Sequence, residues 1–161
     1  MKVSVKKLIV YIIASVILVP FIYVVIPMWL ISISESLNIF KISFVGQEVV
    51  GAIIFLAGLI LFPYCSSIFF KHGERTPLFT ETEGKFFKNG IYEKTRNPMY
   101  VGHVLVALGI FVWHGSLLLL GYAFVGWLIL QSYLIFIEEP QLIARYGKTY
   151  KEYMGLVPRW I

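Results

Sequence analysis

From Pro98 to Ile137 the chain contains no Asp, Glu, Lys or Arg. A single helix of that length would far exceed a hydrocarbon core of roughly 30 Å at a rise of about 1.5 Å per residue. The run must therefore fold back on itself. The break falls at "WHGS", Trp113 to Ser116, where Gly115 supplies the turn and Ser116 can cap the returning helix. An antiparallel hairpin of two membrane helices, 98–114 and 116–137, follows from this reading.

The rest of the chain agrees with a bilayer setting. Hydrophobic residues make up 58% of it and charged residues only 14%, which excludes an ordinary soluble domain. Lys2, Lys6 and Lys7 precede an uncharged run that is too long for a signal-peptide core. It is expected as a first membrane helix, 8–33, kinked at Pro20 and Pro27 where backbone donors are missing. A second helix is expected over 47–70. Gly51 and Gly58 there, like Gly102 and Gly109 in the third helix, have the spacing that lets helix backbones approach.

Basic residues give a net charge of +5, but they flank apolar runs and mix with acids, so a nucleic-acid interface is not expected. They act as topology signals instead. The N-terminus, the central loop 71–97 and the C-terminal tail are rich in Lys and Arg, which places both termini in the cytoplasm of a cell-membrane protein. Three scattered histidines and the single Cys65 offer no metal site. Leu142, Tyr146, Tyr150, Tyr153 and Val157 recur at helical spacing, predicting an interfacial helix over 139–154 with Trp160 as an anchor. The fold class expected is all-α and integral to the membrane, with four transmembrane helices, a cytoplasmic loop and that interfacial helix.

Polar residues then converge. With the hairpin turn near Gly115, Pro98 and Glu138 differ in depth by roughly 9 Å along helices rising about 1.5 Å per residue. RNPMY, the adjacent acids Glu138 and Glu139, and the central loop thus share one membrane face. Asn97 followed by Pro98 makes a helix start, which serves either as punctuation or as an anion-binding end. Two acids at a helix's negative end are disfavoured by the macrodipole, and either Arg96, Lys148 or solvent offsets this, or a bound cationic ligand does. His103, inside the third helix, is expected to contact a neighbouring helix.

"NGIYEKTRNPMYVG", followed after the hairpin by "EEPQLIARYGKTYKEYMGLVPRW", resembles the isoprenylcysteine carboxyl methyltransferase family, with phospholipid N-methyltransferases similar at greater distance. The resemblance covers about the last half of the chain. It implies a small multi-pass enzyme that uses S-adenosyl-L-methionine and takes a lipid-like or prenylated acceptor from the membrane lipids. Carried over by motif, the cofactor contacts are Gly84, Lys85, Phe86, Phe87, Tyr92, Asn97, Pro98, Met99, Tyr100 and Glu138. Glu139 and Arg96 are the candidate catalytic residues: Glu139 as base for an amine or hydroxyl acceptor, or else as a second acidic contact supporting Glu138, and Arg96, with Arg145 as the alternative, as a partner for an acceptor carboxylate. No metal is implied.

These residue types suit the cofactor. Tyrosine faces attract a sulfonium, a carboxylate accepts an ammonium or ribose hydroxyls, and a helix start meets a carboxylate. Two positions depart from the resemblance. Asn97 stands where His is frequent, and Leu134 stands where isoprenylcysteine methyltransferases carry an arginine for the acceptor carboxylate. Carboxylate O-methylation of an isoprenylcysteine-like acceptor, N-methylation of a phospholipid amine, and a non-catalytic scaffold that retains the fold all remain open at this level.

Overall fold

The computed structural model describes residues 17–71 and 88–161. Among them the regular elements are all helices: α1 (Ile17–Ser36), α2 (Gln47–Lys71), a 3-10 turn (Gly90–Glu93), α3 (Pro98–His114), α4 (Leu117–Tyr146) and α5 (Lys148–Leu156). Three are long and apolar enough to cross a membrane: α1, the Gln47–Cys65 part of α2, and α4. The 17-residue α3 is a shorter apolar helix, about 25 Å long at helical rise.

Helices α2 and α3 pack closely along their length, and their glycines explain why. A Cβ at Gly109 would stand 2.5 Å from the Phe55 backbone, one at Gly51 2.5 Å from the Trp113 backbone, and one at Gly58 2.6 Å from the Gly102 carbonyl. Side chains at these positions would hold the backbones apart, so the four small residues noted in sequence form one antiparallel seam.

The hairpin turns where expected. Gly115 adopts φ +69°, and a Cβ there would lie 1.9 Å from the Ile42 carbonyl oxygen. Ser116 occupies the N-cap position of α4, but its hydroxyl makes no cap; it donates to Ser34 Oγ at 2.9 Å. This buried contact ties the turn to the end of α1, where the amide of Ile42 also donates to the Gly115 carbonyl.

Two prolines shape α1 and α4. Pro27 and Pro140 lack an N–H, and each ring crowds the carbonyl four residues back. The helix widens just before each of them, over Phe21–Val25 and Leu134–Glu138. In both turns the residue preceding the proline, Ile26 or Glu139, donates its N–H to the carbonyl five residues back.

The C-terminal segment differs from the expected 139–154 interfacial helix. Glu139–Tyr146 continues α4, because Pro140 is tolerated in the first turn after the wide one. The break comes at Gly147, with φ +57°. Beyond it, Tyr150, Tyr153 and Val157 are buried against Leu142, Ile143, Tyr146 and Met154. The aromatic face therefore closes the protein's own end, where sequence periodicity placed it against lipid headgroups. The start of the expected 8–33 helix lies outside the described residues.

Candidate functional site

The RNPMY start and the acidic pair meet through one bond. The Tyr100 hydroxyl, in the first turn of α3, donates to Glu138 Oε2, in the wide turn of α4. Rings surround it: Tyr133 and His103 each have their centroids 6.4 Å from that of Tyr100. Glu138 has no ion pair among the described residues. Leu134, one turn earlier, is fully buried.

Glu139 is differently placed. Arg159 grips it with two parallel bonds, Nε to Oε1 at 2.8 Å and Nη2 to Oε2 at 2.9 Å. Arg96 Nη1 lies 3.2 Å from the same Oε1, close enough for charge attraction but misaligned for a hydrogen bond. The side chains of Arg96 and Glu139 are 7% and 6% exposed, and that of Arg159 25%, so the two charges facing each other at 3.2 Å are the hidden ones. Nε and Nη1 of Arg96 have no hydrogen-bond acceptor among the described residues. Its guanidinium reaches the buried Tyr150 hydroxyl, and burial pushes that hydroxyl up to about 12 while Arg96 opposes the shift.

The tail Val157–Ile161 fastens these pieces. The Arg159 carbonyl accepts from Thr95 Oγ1 at 3.1 Å and from Asn97 Nδ2 at 3.0 Å. The Pro158 carbonyl accepts from the Arg96 amide at 3.0 Å, and Trp160 Nε1 donates to Gln131 Oε1 at 2.7 Å, its ring beside Trp127. Asn97 thus holds the expected N-cap position without capping: its side chain is spent on the tail, and its own amide donates to Thr95 Oγ1. Pro98 is fully buried at the first helical position, as its fixed φ favours.

Tyr92 joins through its main chain, whose carbonyl accepts from the Tyr153 hydroxyl. Burial, and then the nearby Cys65, raise the Tyr92 hydroxyl above its ordinary range; burial and then Tyr150 do the same for Tyr153. Both hydroxyls are neutral at physiological pH. The bond to Glu139 raises the Arg159 guanidinium, which stays charged. A recess of about 260 Å³ lined by Lys88, Asn89, Glu93, Thr149, Glu152 and Tyr153, among others, borders this cluster at Tyr153 and Val157.

Arg96, Asn97, Pro98, Tyr100, Glu138 and Glu139 are therefore brought to one end of the helix bundle, with Tyr92 linked through Tyr153. Met99 follows them in the first turn of α3. Gly84, Lys85, Phe86 and Phe87 lie outside the described residues. Sequence reasoning missed Thr95, Gln131, Tyr150, Tyr153 and Arg159 as members of the cluster. The one available signal was the polar Arg159 in an otherwise apolar tail. His103 packs as expected against another helix: its Nδ1 bonds the Tyr23 hydroxyl, and the two rings stack 5.8 Å apart.

A family model described as phospholipid methyltransferase matches residues 47–149, more than half of the chain. The matched region begins with α2 and contains both RNPMY and the acidic pair, but stops before the Arg159 tail. No curated protein and no solved structure gives a match.

Proposed function

The chain belongs to the phospholipid methyltransferase family, and from that premise we propose that it transfers the methyl group of S-adenosyl-L-methionine to a lipid-like acceptor at the membrane surface. The single observation that carries the reading is the Tyr100–Glu138 bond, which joins the two polar motifs across the apolar hairpin. Four helices cross the cell membrane in this reading, α3 being shielded by α2 along the glycine seam, and both chain ends face the cytoplasm by the positive-inside bias.

Methyl transfer is an in-line displacement whose main requirement is to hold donor and acceptor aligned and away from water. Tyr100 and Tyr92, with Asn97, Pro98 and Met99, form the wall of the cofactor site. Tyrosine faces attract the sulfonium, and Glu138 accepts the cofactor ammonium or orients the acceptor. The cofactor supplies an activated methyl group when bound.

The phospholipid amine is the favoured acceptor class. Leu134 is fully buried, so the position that carries the acceptor-carboxylate arginine in isoprenylcysteine methyltransferases presents no charge here. An ammonium must lose a proton before it attacks the methyl group. Glu138 is better suited to receive that proton than Glu139, whose two oxygens already face guanidinium groups. We assign Glu139 to holding the site together. Carboxylate methylation of a prenylated acceptor keeps one argument, that Arg96 stands at the same end with two buried donors that find no acceptor among the described residues.

Titration of the purified full-length chain in lipid with S-adenosyl-L-methionine tests the reading, and saturable binding is expected. A chain that shows none is a scaffold. Label transfer from methyl-labelled cofactor should then appear in amine phospholipid ahead of prenylcysteine analogues; the opposite order would overturn the choice of acceptor.

A further inference from the structure

Resting on that methyl-transfer reading, we infer that Arg96 anchors an oxyanion site, which receives a carboxylate or phosphate group of one of the two ligands. Two of its guanidinium nitrogens, Nε and Nη1, are shut away from water with no hydrogen-bond acceptor among the described residues. Leaving a buried donor unpaired costs about 1–3 kcal/mol, and more for a charged group. Native structures seldom leave such groups unmatched.

The internal anion nearest Arg96 does not match it. Glu139 provides one carboxylate for two guanidinium groups, and Arg159 takes both of its oxygens in the parallel geometry that suits such pairs. Arg96 is left with a misaligned 3.2 Å approach to Oε1. Arg159 is itself pinned by Thr95 and Asn97 through its carbonyl. The tail therefore draws the carboxylate off Arg96 and keeps its donors open.

The helix start adds to this positive field. Val101 is the first residue of α3 whose amide bonds within the helix, to the Asn97 carbonyl. Pro98 has no N–H, so the amides of Met99 and Tyr100 are, among the described residues, donors without an acceptor at the positive end of a 17-residue helix. Arg96 stands immediately before that end. Guanidinium and helix start together recognise a compact, multiply charged or bidentate oxygen group. The cofactor carboxylate and the phosphate of a phospholipid headgroup share that chemistry.

Three measurements on the chain in lipid, two of binding and one of methyl transfer, test this. The first compares S-adenosyl-L-methionine with its decarboxylated analogue. The second compares an amine phospholipid with a long-chain amine lacking phosphate, read as methyl transfer. The third needs no cofactor: inorganic phosphate is titrated while tryptophan fluorescence is followed, Trp160 being next to Arg159. In the parent, phosphate binds, and one of the first two comparisons favours the oxyanion-bearing ligand, which names the source.

Arg96→Gln should reduce that preference and phosphate binding by about 10-fold, the scale of a lost charge-assisted bond, while the oxyanion-free ligand changes less than about twofold. Arg159→Gln should act in the same direction by releasing Glu139 onto Arg96. Glu139→Gln should strengthen phosphate binding, and it decides the matter if Arg96→Gln fails to fold. Equal losses on both ligands of a pair, or phosphate binding indifferent to all three variants, would overturn the oxyanion site. Absence of S-adenosyl-L-methionine binding alongside Arg96-dependent phosphate binding would instead overturn the methyl-transfer reading and leave the anion site standing.

Discussion

The two wide turns, Phe21–Val25 in α1 and Leu134–Glu138 in α4, share a backbone cause and differ in what they present. Each precedes a proline by the same interval, and each meets neighbouring residues on α3: Tyr23 bonds His103, and Glu138 accepts from Tyr100. In α1 the carbonyl released by the wide turn, that of Ile22, is taken by the Tyr122 hydroxyl at 2.7 Å. That turn is closed on the protein itself. In α4 the turn carries an acidic pair, of which Glu139 is locked to arginine and Glu138 remains without a counter-charge among the described residues. Helix widening of this kind frequently accompanies functional sites. The contrast teaches that the backbone device alone makes no site; the charges set on it do.

The largest effects should come from removing the charge that distinguishes the second turn. Glu138→Ala is expected to weaken S-adenosyl-L-methionine binding by about 10- to 100-fold in a direct titration, whereas Tyr23→Phe in the first turn leaves it within about twofold. Similar losses from both would erase the distinction.

A smaller difference should follow the prolines. Pro140→Ala restores a backbone donor and lets α4 tighten, turning Glu138 away from Tyr100; affinity should fall about 10-fold, the value of one charge-assisted contact. Pro27→Ala permits the same tightening in α1 and should leave affinity unchanged, with any effect confined to thermal stability. If both prolines are silent in binding, the wide turn does not position the carboxylate.

The smallest pair is hydroxyl removal. Tyr100→Phe should cost about fivefold in affinity, in line with about 1 kcal/mol for a hydrogen bond. Tyr122→Phe leaves the Ile22 carbonyl without its partner and should lower unfolding free energy by about 1 kcal/mol without moving the binding constant. Thermal melts and cofactor titrations on the same samples separate the two outcomes.

Much of the architecture is legible in the sequence. The hairpin at Gly115, the glycine seam and the meeting of RNPMY with Glu138 all follow from run length, helix rise and residue size. The segment from Glu139 onward departs from the single interfacial helix expected over 139–154 for a definite reason. Helical periodicity reports that Tyr150, Tyr153 and Val157 share a face but not what covers it, and a bilayer interface and a protein surface accept the same aromatic residues. The capping roles given to Asn97 and Ser116 failed similarly: each residue holds the position, but a distant partner competes for its side chain more effectively than the nearby amides.

Sequence by itself determined that this chain lives in a membrane, folds back within an uncharged run and brings RNPMY and the acidic pair to one end, because burial in lipid and helix rise act locally along the chain. Only the tertiary structure decided which acid is free and which is bound. Glu138 and Glu139 are adjacent and chemically alike, and nothing local separates them. Their fates diverge because a wide turn directs one to Tyr100, while Arg159, brought back by the tail, closes on the other. A long-range ion pair depends on where the chain returns in space, which residue order does not state.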